Sequence, residues 1–125
     1  MDHLAAAGDP VRRTELSTAA AQGRLSVASV DGSAVGYTVR AAWFIGEQFL
    51  ELLYVASGAR RQGIGRLLLL DFEARHGPRL FTSTHRSNAA MQSLLEREGW
   101  TVCGQLEGLD EGDPEVFFMK GATPT

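Results

Sequence analysis

The sequence is poor in cysteine, in positive charge and in long apolar runs, and each shortage removes a class of protein. Cys103 is the single cysteine, so no disulfide framework can form within the chain, and a reducing cytoplasm is the simplest setting. The thiol itself is expected to be a buried, small apolar group. Lys and Arg number 12 against 15 Asp and Glu, a formal net charge of −3. That balance lacks the basic footprint of a nucleic-acid binder. No stretch is long and apolar enough to span a bilayer, and the N-terminus lacks the charged and apolar blocks of a secretory signal. His3, His76 and His85 share no ligand spacing, so no metal is expected. At 125 residues, without an internal repeat or linker, the chain is expected to fold as one domain over residues 1–125.

What is present centres on Val55-Ala56-Ser57-Gly58-Ala59-Arg60-Arg61-Gln62-Gly63-Ile64-Gly65-Arg66, followed by Leu67-Leu68-Leu69-Leu70. A β-rich run, Phe49 to Val55, enters this stretch and a run of helical spacing leaves it. The glycines therefore sit at a strand-to-helix turn, where the first helical amides have no partner and the helix dipole adds partial positive charge. With Arg60, Arg61 and Arg66 nearby, the stretch reads as a cradle for a diphosphate. It is not a Walker loop, because Ile64 and Gly65 stand where Lys and Ser or Thr are needed. A dinucleotide-binding turn is disfavoured as well, because Leu68 takes the place of its third glycine.

Around this centre the expected order is helix, hairpin, strand, helix, strand, helix, hairpin. Asp9-Pro10 has the form of an N-cap with proline at the first helical position, starting a helix to about Ala21 that Gln22-Gly23 ends. Arg24 to Val30 and Ser33 to Ala42 are strands joined by the hairpin dipeptide Asp31-Gly32. Trp43-Phe44-Ile45-Gly46 is an aromatic connection expected to join the core, and Gln48 to Val55 is the next strand. Ile64 to His76 carries a stripe of Ile64, Leu67, Leu68 and Phe72 and closes at Gly77-Pro78. Arg79 to Thr84 returns as a strand parallel to Gln48–Val55 through the right-handed crossover. Ser87-Asn88 caps a helix bearing Met91, Leu94 and Leu95 that ends at Gly99. Trp100 to Glu107 and Glu115 to Lys120 form a last antiparallel pair around an acidic turn, residues 108–114, expected to be solvated, with attraction of a cationic molecule by Asp110, Glu111, Asp113 and Glu115 as the other reading.

Arg60-x-x-Gly63-x-Gly65, following Leu53-Tyr54-Val55, resembles the acetyl-CoA motif of the GCN5-related N-acetyltransferase (GNAT) superfamily, and the element order resembles that fold over nearly the whole chain. The resemblance implies an α/β fold whose mixed, mostly antiparallel sheet splays between two parallel central strands, with helices on both faces. It implies that backbone groups of Leu53, Tyr54 and Val55 pair with the pantetheine arm of acetyl-CoA. The amides of Arg61, Gln62, Gly63, Ile64, Gly65 and Arg66, with Arg60 beside them, would hold its diphosphate, and Asn88 would hydrogen-bond the arm. Such proteins usually begin with a strand; residues 1–8 do not read as one, so that strand is expected to be missing or short, with a start that is either truncated or assigned too late as the two readings. Leu95 stands where many members place a tyrosine that reprotonates the departing thiolate, which leaves water, Ser87 or no general acid at all, since a thiolate is already a fair leaving group.

Transfer of an acetyl group to an amine needs the reactants held in place and a neutral nitrogen. Glu51 is the candidate base. A carboxylate inside an apolar strand needs explaining, the period-two rule puts it on one face with Leu53 and Val55, and Leu50-Glu51-x-x-Tyr54-Val55 resembles the strand of aminoglycoside-type members. His85 is the alternative base, with a lone surface histidine as its ordinary reading. Ser83 and Thr84 stand in no nucleophile signature, so transfer is expected to be direct, without an acyl-enzyme. The expectation is thus an acetyl-CoA-dependent N-acetyltransferase acting on a primary amine of a small molecule, with a protein amine as a further possibility, no nucleic-acid or membrane partner, and a monomeric or homodimeric state. The rival is a CoA-binding sensor or regulatory module without turnover.

Overall fold

The computed structural model describes residues 10–121, so the expectations on residues 1–9, among them the cap at Asp9 and the missing first strand, lie outside the described residues. Helix α1, Pro10–Ala21, turns Leu16 and Ala19 inward. It ends in a Schellman arrangement, with Gly23 N donating to Ala20 O at 3.1 Å and Arg24 N to Ala19 O at 2.8 Å. Strands β1, Leu25–Val30, and β2, Ser33–Arg40, follow. Asp31 and Gly32 both have positive φ, 50° and 80°, as the two-residue turn with matching twist requires.

Strand β3, Gln48–Val55, leads through a single 3-10 turn, Ser57–Ala59, to helix α2, Ile64–His76. Then come β4, Leu80–His85, helix α3, Ala89–Arg97, and the hairpin of β5, Thr101–Leu106, and β6, Glu115–Lys120. The six strands form one sheet in the order β1-β2-β3-β4-β6-β5. Only β3 and β4 are parallel among the pairings of this sheet. The mixed α/β fold with a parallel central pair is the one the sequence suggests.

Each face of the sheet has its own core. Leu16, Ala19, Tyr37 and Val39 bury one face under α1. On the other, Leu50, Leu69, Phe72, Leu80, Leu95, Trp100, Val116 and Phe118 pack together, drawing on α2, α3 and the strands. Strand β3 takes part in both cores because it changes phase. Val39 pairs with Leu52 and Arg40 with Leu50, so Glu51 has no partner on β2 and forms a bulge. Leu50 therefore belongs to the α2–α3 core, whereas Leu52 and Tyr54 lie against the α1 core.

Four expectations are corrected. Glu51 does not simply share a face with Leu53 and Val55, because the bulge breaks the period at that residue. In α2 it is Leu68, Leu69 and Phe72 that are buried, and Leu67 is 59% exposed. An unbroken leucine run leaves the helix phase open, and Leu67 sits roughly 100° round from Leu68, on the side away from Leu69. Trp43 and Ile45 are exposed at 75% and 72%, while Phe44 between them packs on Phe49 with ring centroids 4.3 Å apart. Cys103 is exposed, since β5 is an edge strand and Cys103 is the unpaired residue between Val102, opposite Phe118, and Gly104, opposite Phe117.

Candidate active site

Parallel pairing of β3 with β4 stops early. Gln48 faces Leu80, Phe49 faces Phe81 and Leu50 faces Thr82, and there the ladder ends. Beyond Leu50 the strands separate, leaving the β4-side edge of β3 without a partner strand among the described residues. A cleft of about 610 Å³ fills the gap, with Glu51, Leu53, Tyr54 and Val55 on one lip and Ser83, Thr84 and His85 on the other. Arg60 and Gly65 line it at the α2 end, and Asn88, Met91 and Leu94 from α3 close one side. The bulge that displaces Glu51 sits where the strands part, so a single irregularity both opens the sheet and presents a carboxylate there.

At the mouth of this cleft α2 begins without a side-chain cap. Gly63 is its N-cap, with φ of 78°, and offers no acceptor to the first amides. The first regular helical bond is Leu67 N to Gly63 O at 3.1 Å, so the amides of Ile64, Gly65 and Arg66 have no partner within the helix. A Cβ at Gly65 would meet Leu94 Cδ2 at 3.6 Å and Val55 Cγ2 at 3.8 Å. Both are ordinary van der Waals distances, so α2 starts close against β3 and α3 with room for no more than a methyl group at this position. The arrangement fits a diphosphate: free amides, a dipole of the right sign and no side chain in the way.

The arginines divide. Arg60 Nε donates to Val55 O at 3.1 Å, with its guanidinium 5.9 Å from the Tyr54 ring centroid. Arg66 pairs with Glu98 at 3.1 Å, tying the start of α2 to the end of α3. Arg61 and Gln62 are exposed, and Arg61 has a positive φ of 66°. Asn88 does cap α3, its Oδ1 accepting from Met91 N at 3.1 Å. The cap engages only the oxygen, which leaves the amide NH2 of a cleft-lining residue to donate.

Glu51 is exposed and lines a second cavity as well, of about 530 Å³, on the α1 side. Thr14, Glu15 and Thr18 of α1, with Arg24, Ala42 and Leu52, complete its lining. Glu51 thus stands between the open split and a separate small-ligand-sized space. Leu95 has no exposure, belongs to the core under α2 and α3 and is absent from the cleft lining. Ser87 does not reach the cleft either, because its hydroxyl donates to Asp113 Oδ2 at 2.7 Å.

The acidic turn is exposed at residues 108–112, as expected, and is also tethered by its carboxylates. His85 Nε2 lies 2.5 Å from Asp110 Oδ2 and 3.6 Å from Glu115 Oε1. Ser83 Oγ donates to Glu115 Oε2 at 2.7 Å. The bond to Asp110, with the nearby charges of Glu115 and Asp113, raises the His85 pKa against a smaller desolvation effect. The Ser87 hydroxyl and amide lower that of Asp113. His85 is therefore not a lone histidine, and its imidazolium form is favoured, which makes it a counter-ion for the turn before it is a base. Sequence reasoning named Glu115 among the acidic residues but missed Ser83 as a cleft residue and the bond between the two; the β4–β6 pairing that joins them crosses 32 positions.

Comparison with known proteins agrees with this geometry. An acetyltransferase (GNAT) domain matches residues 21–102. A GNAT-family acetyltransferase from Bacillus cereus is 32% identical, with a TM-score of 0.83 over 94% of this chain and 83% of that one. A ribosomal-protein-alanine N-acetyltransferase from Brucella melitensis is 30% identical, with a TM-score of 0.71 over 90% of this chain and 77% of that one. A GNAT-family acetyltransferase from Elizabethkingia anophelis with acetyl-CoA bound shares the fold at 18% identity, with a TM-score of 0.77 over 95% and 88% of the two chains. Among curated proteins none matches. The split between the parallel strands, the uncapped glycine start of α2 and these matches together place the chain in the GNAT family of acetyltransferases.

Proposed function

We propose that this acetyltransferase moves the acetyl group of acetyl-CoA directly to a primary amine of a small molecule, with Glu51 as the base. The observation that carries the reading is the double position of Glu51, which lines both the split and the α1-side cavity. The amides of Gln62 to Arg66 and the Arg61 side chain bind the diphosphate. The open edge of β3 at Leu53, Tyr54 and Val55 pairs with the pantetheine arm, and Asn88 donates to it. An acceptor in the second cavity, whose volume of about 530 Å³ falls in the range of small-molecule sites, meets the thioester at Glu51.

An alkylammonium first loses a proton to Glu51. The freed nitrogen lone pair then attacks the thioester carbonyl carbon, the C–S bond breaks with its electron pair on sulfur, and nitrogen loses a second proton while the thiolate gains one. The products are the amide, free CoA and one proton. With no tyrosine at Leu95 and Ser87 held by Asp113, water reprotonates the thiolate. Positioning contributes much of the rate, since holding reactants in attack geometry is worth roughly 7–11 kcal/mol. A second reading, acetylation of a protein N-terminus, is favoured by the likeness to the ribosomal-protein-alanine N-acetyltransferase.

One experiment separates these readings from a CoA-binding module without turnover. Thiol release from acetyl-CoA is followed with amino sugars, alkylamines and an alanine-initiated peptide as acceptors, using the wild type and Glu51→Gln. Small amines are expected to be turned over, and Glu51→Gln to slow them by about 10²–10⁴-fold without changing acetyl-CoA affinity. Turnover of the peptide alone selects the second reading. Saturable acetyl-CoA binding with no thiol release from any acceptor would leave the regulatory module.

A further inference from the structure

We infer that the Thr84 hydroxyl is a hydrogen-bond donor to the pantetheine arm of acetyl-CoA. The inference rests on the acetyl-CoA reading above and adds a contact that neither the family motif nor the glycine turn contains. Thr82 and Thr84 are alternate residues of β4, so they share a face, and both are buried, with exposures of 1% and 8%. Thr82 lies where the β3–β4 ladder still holds, opposite Leu50, and its Oγ1 donates to Leu50 O at 2.7 Å. One repeat further along, a regular ladder would offer Thr84 the next β3 carbonyl facing β4, but the bulge at Glu51 intervenes. By then β3 has left β4, and the Thr84 hydroxyl has no hydrogen-bond partner among the described residues.

Valine would fill the same space, and the Thr84 oxygen, which is not among the fully buried unpaired atoms, has no partner in the described residues to account for a hydroxyl. Thr84 nevertheless lines the cleft, among the apolar side chains of Leu53, Met91 and Leu94 and close to Asn88 in sequence and space. Hydrogen bonds are stronger in such surroundings than in water. The partner Thr84 lacks is the carbonyl of an extended chain lying where β3 would have continued. The pantetheine arm is an extended chain with amide carbonyls. Threonine at this place donates to a strand that the ligand supplies.

The test compares Thr84→Val, which keeps the shape, and Thr84→Ser, which keeps the hydroxyl, in the full chain. Acetyl-CoA affinity is measured by calorimetric titration, and the melting temperature is measured on the ligand-free protein. Thr84→Val is expected to weaken acetyl-CoA binding about five- to tenfold while leaving the ligand-free melting temperature equal or higher; Thr84→Ser should stay within about twofold of wild type. Unchanged affinity in Thr84→Val would overturn the assignment. So would a loss of affinity accompanied by a lower ligand-free melting temperature, which would make the hydroxyl structural. If the wild type itself shows no saturable binding, the acetyl-CoA reading falls and carries this one with it, whereas normal wild-type binding with an indifferent Thr84→Val removes only the role of Thr84.

Discussion

Where β3 and β4 pair, Thr82 is bonded across the ladder, although Gln48 Oε1 and Arg79 Nε at its start are buried without a partner among the described residues. Where the strands part, the polar groups that lack partners are open to the cleft. On the paired side, Thr82 donates to Leu50 O. The Glu73 carboxylate of α2 receives Trp100 Nε1 at 3.1 Å and Lys120 Nζ at 2.7 Å, and Lys120 Nζ also donates to Glu98 O at 2.7 Å. Leu50, Leu80 and Phe118 around them are all within 2% of complete burial. On the parted side, among the described residues, the Thr84 hydroxyl has no partner, Asn88 uses only its oxygen, and α2 starts without a side-chain cap. The two regions belong to the same strands and differ in what the fold leaves unmade. Stability collects where the strands pair, and binding capacity where they part.

The strongest way to break this contrast is Phe118→Ala. Phe118 has no exposed surface and lies in the core between the sheet and the α2–α3 layer, so truncation is expected to cost ~3–5 kcal/mol in urea denaturation. A cost below ~1 kcal/mol would mean that the paired end does not hold the stability assigned to it. Thr82→Val sharpens the contrast at the scale of one hydroxyl. It removes the bond to Leu50 O and is expected to cost ~1–2 kcal/mol in the ligand-free protein, where Thr84→Val costs nothing. Equal effects of the two substitutions on ligand-free stability would erase the distinction between the ends.

The turns were the more legible features in sequence, on either side of the split. Asp31-Gly32, the glycine-rich turn and the close at Gly77-Pro78 are local signals, and they placed β3, α2 and β6 with the bounds observed. Gly63 and Gly65 marked the uncapped helix start because their chemistry is in the backbone. The bulge at Glu51 left no trace, since Leu50, Leu52, Leu53 and Tyr54 are all apolar and no alternation exists to be interrupted. Trp43, Leu67 and Cys103 point to water for tertiary reasons: a sheet edge, or a helix face that nothing covers. Thr84 was visible as a strand residue but not as an unpartnered one, because that depends on where a neighbouring strand turns away. His85, Asp110 and Glu115 meet only through the order of strands in the sheet.

The smallest expected effect concerns that last cluster, on the parted side, where surface charges tether the acidic turn. The bond to Asp110, aided by Glu115 and Asp113, raises the His85 pKa above its ordinary value of about 6.5, so the folded protein holds that proton more tightly than the unfolded chain does. This contribution to stability is fully present below the ordinary value and is lost as pH rises through the raised folded one. Asp113 runs the other way: its pKa is lowered by Ser87, so its contribution is present above the ordinary carboxylate value and is lost as pH falls through the depressed one. His85→Asn removes only the first. Its melting temperature should therefore lie on the order of a degree or two below wild type at pH ~5–6, with the gap closing as pH rises past the folded His85 value. A gap that stays constant or widens with pH would show that His85 is held by shape and not by charge. The docked turn would then resemble the paired end of the sheet, and the contrast would stop at the cleft itself.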